Sequence, residues 1–137
     1  MNTQVAPSKK ESTLAPKVPP YSIEAEQSVL GALMLDNRAW DRVIEHVAVS
    51  DFYRNEHQLI FTTIQTLVDR NQPCDSLTLA EELKQLNKLE QVGGESYLFE
   101  LANATPSSAN VASYATIVRE RSVLRKMIAV GSDLVDN

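Results

Sequence analysis

Cysteine and glycine are scarce in this chain, with one Cys and four Gly among 137 residues. A single cysteine, Cys74, excludes an internal disulfide and fits a reducing cytoplasm. Beside Pro73 it reads as a turn or core thiol rather than a nucleophile. Four glycines are too few for the many tight turns of an all-β fold. One cysteine and two histidines cannot complete a closed zinc site. The only double glycine, Gly93-Gly94, is not followed by Gly-Lys-Ser/Thr, so there is no phosphate loop. No run approaches the ~18 apolar residues of a membrane span. The first twenty residues hold no apolar core of signal-peptide length.

Catalytic groupings are missing as well. His46 and His57 are not paired with a serine or cysteine, and His57 lies on the apolar stripe of a helix, where a core role is expected. Glu24/Glu26 and Glu81-Glu82 are carboxylate pairs in name only. Acid–base work needs carboxylates facing across a pocket, and neighbours on one helix do not face each other. They read as capping and surface charges. No catalytic, cofactor or metal residue is assigned.

Charge is uneven. The whole chain carries −5, but residues 22–100 hold fourteen acids against six bases, a balance of −8. Such a body is a poor phosphate binder, so no direct DNA contact is expected from it. Arg119, Arg121, Arg125 and Lys126 form the opposite bias. They read either as a solvated helix face or as a basic face for docking a partner.

What is present is helical periodicity. Residues 1–20 are polar and hold Pro7, Pro16, Pro19 and Pro20, the composition of a disordered tail. Ser22 can cap a first helix over about Ile23–Leu35, with Glu24 and Glu26 in its first turn. Leu30 and Met34 face the core. Gly31 inside that helix costs ~1 kcal/mol relative to Ala, acceptable if another backbone packs closely there. Asp36 or Asn37 caps a second helix carrying Trp40, Val43, Ile44 and Val47. Phe52 and Tyr53 anchor a connection. Asn55 opens a third helix with His57, Ile60, Phe61, Ile64 and Val68 on one face. Thr78 and Glu81 match a capping box for a fourth helix burying Leu79, Leu83 and Leu86. After the Gly93-Gly94 turn, a fifth helix carries Tyr97, Leu98 and Leu101 and ends at Thr105-Pro106. Ser107 or Ser108 caps a sixth that runs nearly to Asn137.

The sixth helix has two apolar faces. Val111, Tyr114, Ile117 and Val118 form one. Val123, Leu124, Met127, Ile128, Val130, Gly131, Leu134 and Val135 form a second arc of roughly 160°. The arcs are offset by about a third of a turn at the helical 100° per residue, so one straight helix on one small domain cannot bury both. The second half needs another helix or another chain, unless the helix bends or frays before Gly131. The expected fold is all-α: a small orthogonal bundle of about six helices. Residues 21–104 form a head, and 105–137 a long helix serving as the first arm of a hairpin.

Several segments, in order and spacing, resemble one family. They are Ser22-Ile23-Glu24-Ala25-Glu26-Gln27-Ser28-Val29-Leu30-Gly31, Asp51-Phe52-Tyr53 with His57 and Ile60-Phe61, and Thr78-Leu79. They continue with Gly93-Gly94 and Tyr97-Leu98, Thr105-Pro106-Ser107-Ser108-Ala109-Asn110, Tyr114-Ala115, and Ile117-Val118-Arg119-Glu120-Arg121. Together they resemble the N-terminal domain of the DnaB family of bacterial replicative helicases, from about Val18 to the end. The resemblance implies a non-catalytic collar that pairs with itself into a trimer-of-dimers ring. It also implies docking of primase and, in some bacteria, of a helicase loader. ATP and magnesium would belong to a C-terminal motor domain that this chain stops short of, and the full-length parent would unwind DNA at the fork. The competing expectation is a small helical nucleic-acid-binding domain using the four basic residues of the last helix.

Overall fold

Ser22 opens the first helix as its position predicts. Its hydroxyl oxygen accepts the Ala25 amide at 3.1 Å, filling one of the free donors at a helix start. The computed structural model describes residues 18–136. The tail expected over residues 1–20 therefore lies outside the described residues up to 17, as does Asn137. Among the described residues there are six α-helices and no strand.

Helix α1 (Ile23–Leu35) runs through the middle of the bundle and packs on α3, α5 and α6. Here α3 is Asn55–Asp69, α5 is Gly94–Ala104 and α6 is Val111–Asp136. Ala25, Val29, Leu30, Ala32, Leu33 and Met34 are all buried, so α1 has apolar surface on more than one side. Each large apolar side chain removed from water contributes ~1.5–3 kcal/mol. Gly31 is where the α1 backbone meets the joint between α5 and α6. A Cβ there would strike the Thr105 hydroxyl and the Leu101 carbonyl.

Asp36 caps a 3-10 turn (Asn37–Ala39) by accepting the Arg38 amide, and α2 (Trp40–Ile44) follows. Trp40, Val43 and Val47 are buried, Trp40 against Phe61. Ile44, expected in the core, is exposed. Ile44 is the last residue of the five-residue helix, and the chain beyond it turns to bury Val47 instead. A second 3-10 turn (Val49–Asp51) leads to α3, which ends at Arg70 with Asn71 in the left-handed region (φ 58°).

Helix α4 (Ser76–Gln85) begins earlier than the Thr78–Glu81 pattern suggested. The capping box is Asp75–Thr78: Asp75 Oδ1 accepts the Thr78 amide at 2.8 Å, and Thr78 Oγ1 accepts the Asp75 amide at 2.9 Å. Leu79 and Leu83 are buried, but Leu86 is exposed because it is the residue on which the helix closes. A 3-10 turn (Glu90–Val92) then reaches Gly93, whose φ of 107° needs glycine. In α5, Leu98 and Leu101 are buried and Tyr97 half-buried.

Neither serine caps α6 as expected. Ser107 accepts the Ala109 amide in the turn before it, and the Ser108 hydroxyl donates to Asp36. Helix α6 is one unbroken element to Asp136, so it neither bends out of helix nor frays before Gly131. Its first half is built into the bundle through Val111, Ala115, Val118 and Ser122. Tyr114 and Ile117 are half-buried beside them.

Candidate interaction surface and its supports

Beyond Ser122 the core ends, but the apolar residues of α6 continue. Val123, Leu124, Met127, Ile128, Val130, Leu134 and Val135 are all exposed, from 37% for Val123 to 84% for Val135. A Cβ on Gly131 would meet nothing within 4 Å. The arc read from the sequence is thus present on a continuous helix, and the chain's own head does not cover it. Loss of water from such an arc is the dominant drive for association.

A second apolar feature lies on the head. Leu77 of α4 and Phe99 of α5 are exposed on either side of an open groove floored by Ala80 and edged by Glu95.

The four basic residues do not form a uniform outward face. Three converge on Asp51, which is 1% exposed. Arg119 and Lys126 each approach its carboxylate at 3.8 Å. Arg125 donates to the Asp51 carbonyl at 2.8 Å and to the Pro20 carbonyl at 2.9 Å. Its guanidinium also lies over the Tyr53 ring at 5.3 Å, and Tyr53 stacks on Tyr21 with centroids 4.3 Å apart. The Asp51 carboxylate further accepts the Ser122 hydroxyl at 2.7 Å and the Ala48 amide at 2.8 Å. Burying a carboxylate is costly unless such partners surround it. Arg121 is half-exposed on the same helix.

The other support is a polar chain through the core. Glu26, read from the sequence as a capping and surface charge, is 1% exposed. Its carboxylate accepts the Tyr53 amide at 2.6 Å and meets His57 Nδ1 at 2.7 Å. Glu26 thereby ties down, from another helix, the segment just before α3, and its carboxylate sits by the N-terminal end that the helix dipole makes favourable to negative charge. On the other side of the ring, His57 Nε2 lies 2.7 Å from the Tyr97 hydroxyl, which accepts a bond from Gln27. One proton arrangement satisfies every member: Nδ1–H donates to Glu26, and the Tyr97 hydroxyl donates to Nε2. Burial pushes the Tyr97 phenol above its ordinary range, opposed by the bond from Gln27. His57 is buried as expected. The helical arithmetic that placed Leu30 and Leu33 inside also places Glu26 there, and that was the signal available. Nothing in the sequence pairs Asp51 with residues about seventy positions away.

No group of three or more His, Cys, Asp or Glu among the described residues is placed to hold a metal ion. No described helix is long and apolar enough to cross a membrane.

The family model described as the DnaB-like helicase N terminal domain matches residues 18–120. The replicative DNA helicase DnaB of Haemophilus influenzae is 43% identical over 130 residues, covering 95% of this chain and 28% of that protein. That of Geobacillus stearothermophilus is 46% identical over 121 residues, covering 88% of this chain and 27% of that protein. The chain thus spans about a quarter of the length of these relatives. The crystal structure of the N-terminal domain of DnaB helicase from Mycobacterium tuberculosis superposes with a TM-score of 0.84 at 39% identity, covering 87% of this chain and 86% of that one. A structure of a DnaB-like replicative helicase and its interactions with primase gives a TM-score of 0.69 at 29% identity, covering 82% of this chain and 27% of that one. The chain belongs to the DnaB-like helicase N-terminal domain family.

Proposed function

We propose that this domain is the non-catalytic collar of a hexameric replicative DNA helicase. It pairs with a second copy, contributes to a trimer-of-dimers ring, and offers a docking surface to primase and to a helicase loader. Residues 21–104 act as the head, and residues 105–137 form the first arm of a hairpin. The observation that carries the reading is the uncovered apolar arc on the distal half of α6. Two-fold pairing is the commonest way for identical chains to bury such a face. The Leu77–Phe99 groove adds apolar ground on the head for contact with a neighbour.

The full-length parent implied here unwinds DNA at the replication fork in the cytoplasm. ATP and magnesium are handled by its motor domain, and the collar takes no part in that chemistry. A relative's structure with primase motivates that partner. The nucleic-acid reading is the weaker one, because Arg119, Arg125 and Lys126 are turned toward Asp51.

Sedimentation of the wild type and of Ile128→Asp tests the pairing. The wild type is expected to associate as concentration rises, and the variant to remain monomeric with its helical content intact. A wild type that stays monomeric at high concentration, or a variant that associates equally well, overturns the assembly role. Binding of the isolated primase, with and without the same substitution, then shows whether docking uses this arm or the head.

A further inference from the structure

The point where the chain enters the bundle and the point where α6 leaves the core are held by one side chain. Arg125 lies in the first turn after Ser122, the last buried residue of α6. Its planar fork donates once to the Pro20 carbonyl, just before α1, and once to the Asp51 carbonyl, in the turn before α3. Tyr53 lies beneath the guanidinium, and Tyr21 stacks on Tyr53 in near-parallel planes, 2° apart. Three segments distant in sequence therefore close on one group. Arg119 and Lys126 stand about one turn to either side of Ser122, each 3.8 Å from the Asp51 carboxylate, and Ser122 is bonded to it between them.

This arrangement is more than a bundle needs in order to bury its core. The apolar packing of α6 is complete at Val118 and Ser122. Just beyond it, Arg125 reaches the carbonyls of Pro20 and Asp51 and the ring of Tyr53, and Lys126 the Asp51 carboxylate. A lysine cannot make both donations in a fixed plane or stack as well.

We propose that Arg125 is a latch coupling the N-terminal segment at Pro20–Tyr21 to the distal half of α6, so that whatever binds or displaces that segment changes how firmly the arm is held. The coupling runs both ways, since a linkage between two sites is reciprocal. Pairing of the arm, which rests on the assembly reading above, would in turn fix Pro20 and Tyr21 in place. The latch deepens that reading by naming the regulation of the arm, and it does not depend on the arm's partner.

Amide hydrogen exchange on the full chain tests the latch. Two single variants, Tyr21→Ala and Arg125→Lys, are compared with their combination. Each single variant is expected to speed exchange across residues 119–128 roughly fivefold, Arg125→Lys by losing the forked donation and Tyr21→Ala by losing the stack that backs Tyr53, while α1 stays at the wild-type rate. The combination should be little faster than either alone, because both remove the same device. If Tyr21→Ala leaves 119–128 unchanged, the N-terminal segment has no hold on the arm and the latch is overturned. Effects that add as independent terms, or exchange that rises equally in α1, overturn it as well. Sedimentation of the same samples keeps the two readings apart. A chain that stays monomeric but shows the exchange pattern keeps the latch and loses the pairing. A chain that pairs with unchanged exchange keeps the pairing and loses the latch.

Discussion

Glu26 and His57 meet at 2.7 Å in the interior, each sealed from solvent, and link α1 to the first turn of α3. Removing one partner of a buried pair leaves the other without compensation. Glu26→Ala strands the Tyr53 amide and the His57 ring N–H together and should lower unfolding free energy by ~2–5 kcal/mol, at ~1–3 kcal/mol for each buried donor left unpaired. His57→Ala removes the ring and its cavity-filling volume and should cost ~2–4 kcal/mol. Urea denaturation measures both. If either variant keeps the wild-type midpoint, the polar chain is not a structural tie.

The two helical glycines should answer oppositely to the same substitution. Gly31→Ala places a methyl group against the Thr105 hydroxyl and the Leu101 carbonyl. Overpacking of this kind costs ~1–3 kcal/mol and outweighs the ~1 kcal/mol gained in helix propensity. Gly131→Ala meets open space and should raise the helical signal of the arm. Thermal melts of the two variants should move in different directions from the wild type.

The start of α4 separates two cap assignments. Asp75→Ala should destabilise by ~1 kcal/mol, the usual worth of a side-chain cap. Glu81→Ala should change stability very little, since its contact with Lys84 is an exposed pair at 3.7 Å. Equal losses in the two variants would restore Glu81 to the cap.

Burial pushes the Cys74 thiol from an ordinary 9.0 up to about 12, with the neighbouring Asp75 adding to the shift. The folded state therefore favours the protonated thiol. That contribution to stability is complete below about pH 9 and is lost progressively as pH rises toward 12. A thiol-specific reagent at pH 8 should react slowly with the native chain and quickly in urea, in step with unfolding. Fast labelling of the native protein would contradict the burial.

Helix positions were legible because 3.6-residue periodicity survives in the longer helices α3 to α6. The failures have local causes. Leu86 kept the spacing of a buried stripe after its helix had closed, and Ile44 kept it at the last residue of a helix too short to hold the whole stripe. Glu26 kept the spacing too, and its charge masked the fact. The apolar arc of α6 was visible because it breaks the rule that a helix shows one stripe to one domain. The Asp51 cluster was not visible, because its members come from distant segments that only the packing of α6 against the turn at Val49–Asp51 brings together.

The unbroken course of α6 also gives the domain mechanical leverage. From Val123 to Asp136 the helix projects by ~20 Å at 1.5 Å per residue. A tilt of about 10° at Ser122 would therefore carry the tip through ~3.5 Å, nearly the diameter of a methyl group, on a rod of that rise. Small angular errors in the head are magnified at the surface offered to a neighbour, so the accuracy of any ring built from these arms is decided at their root.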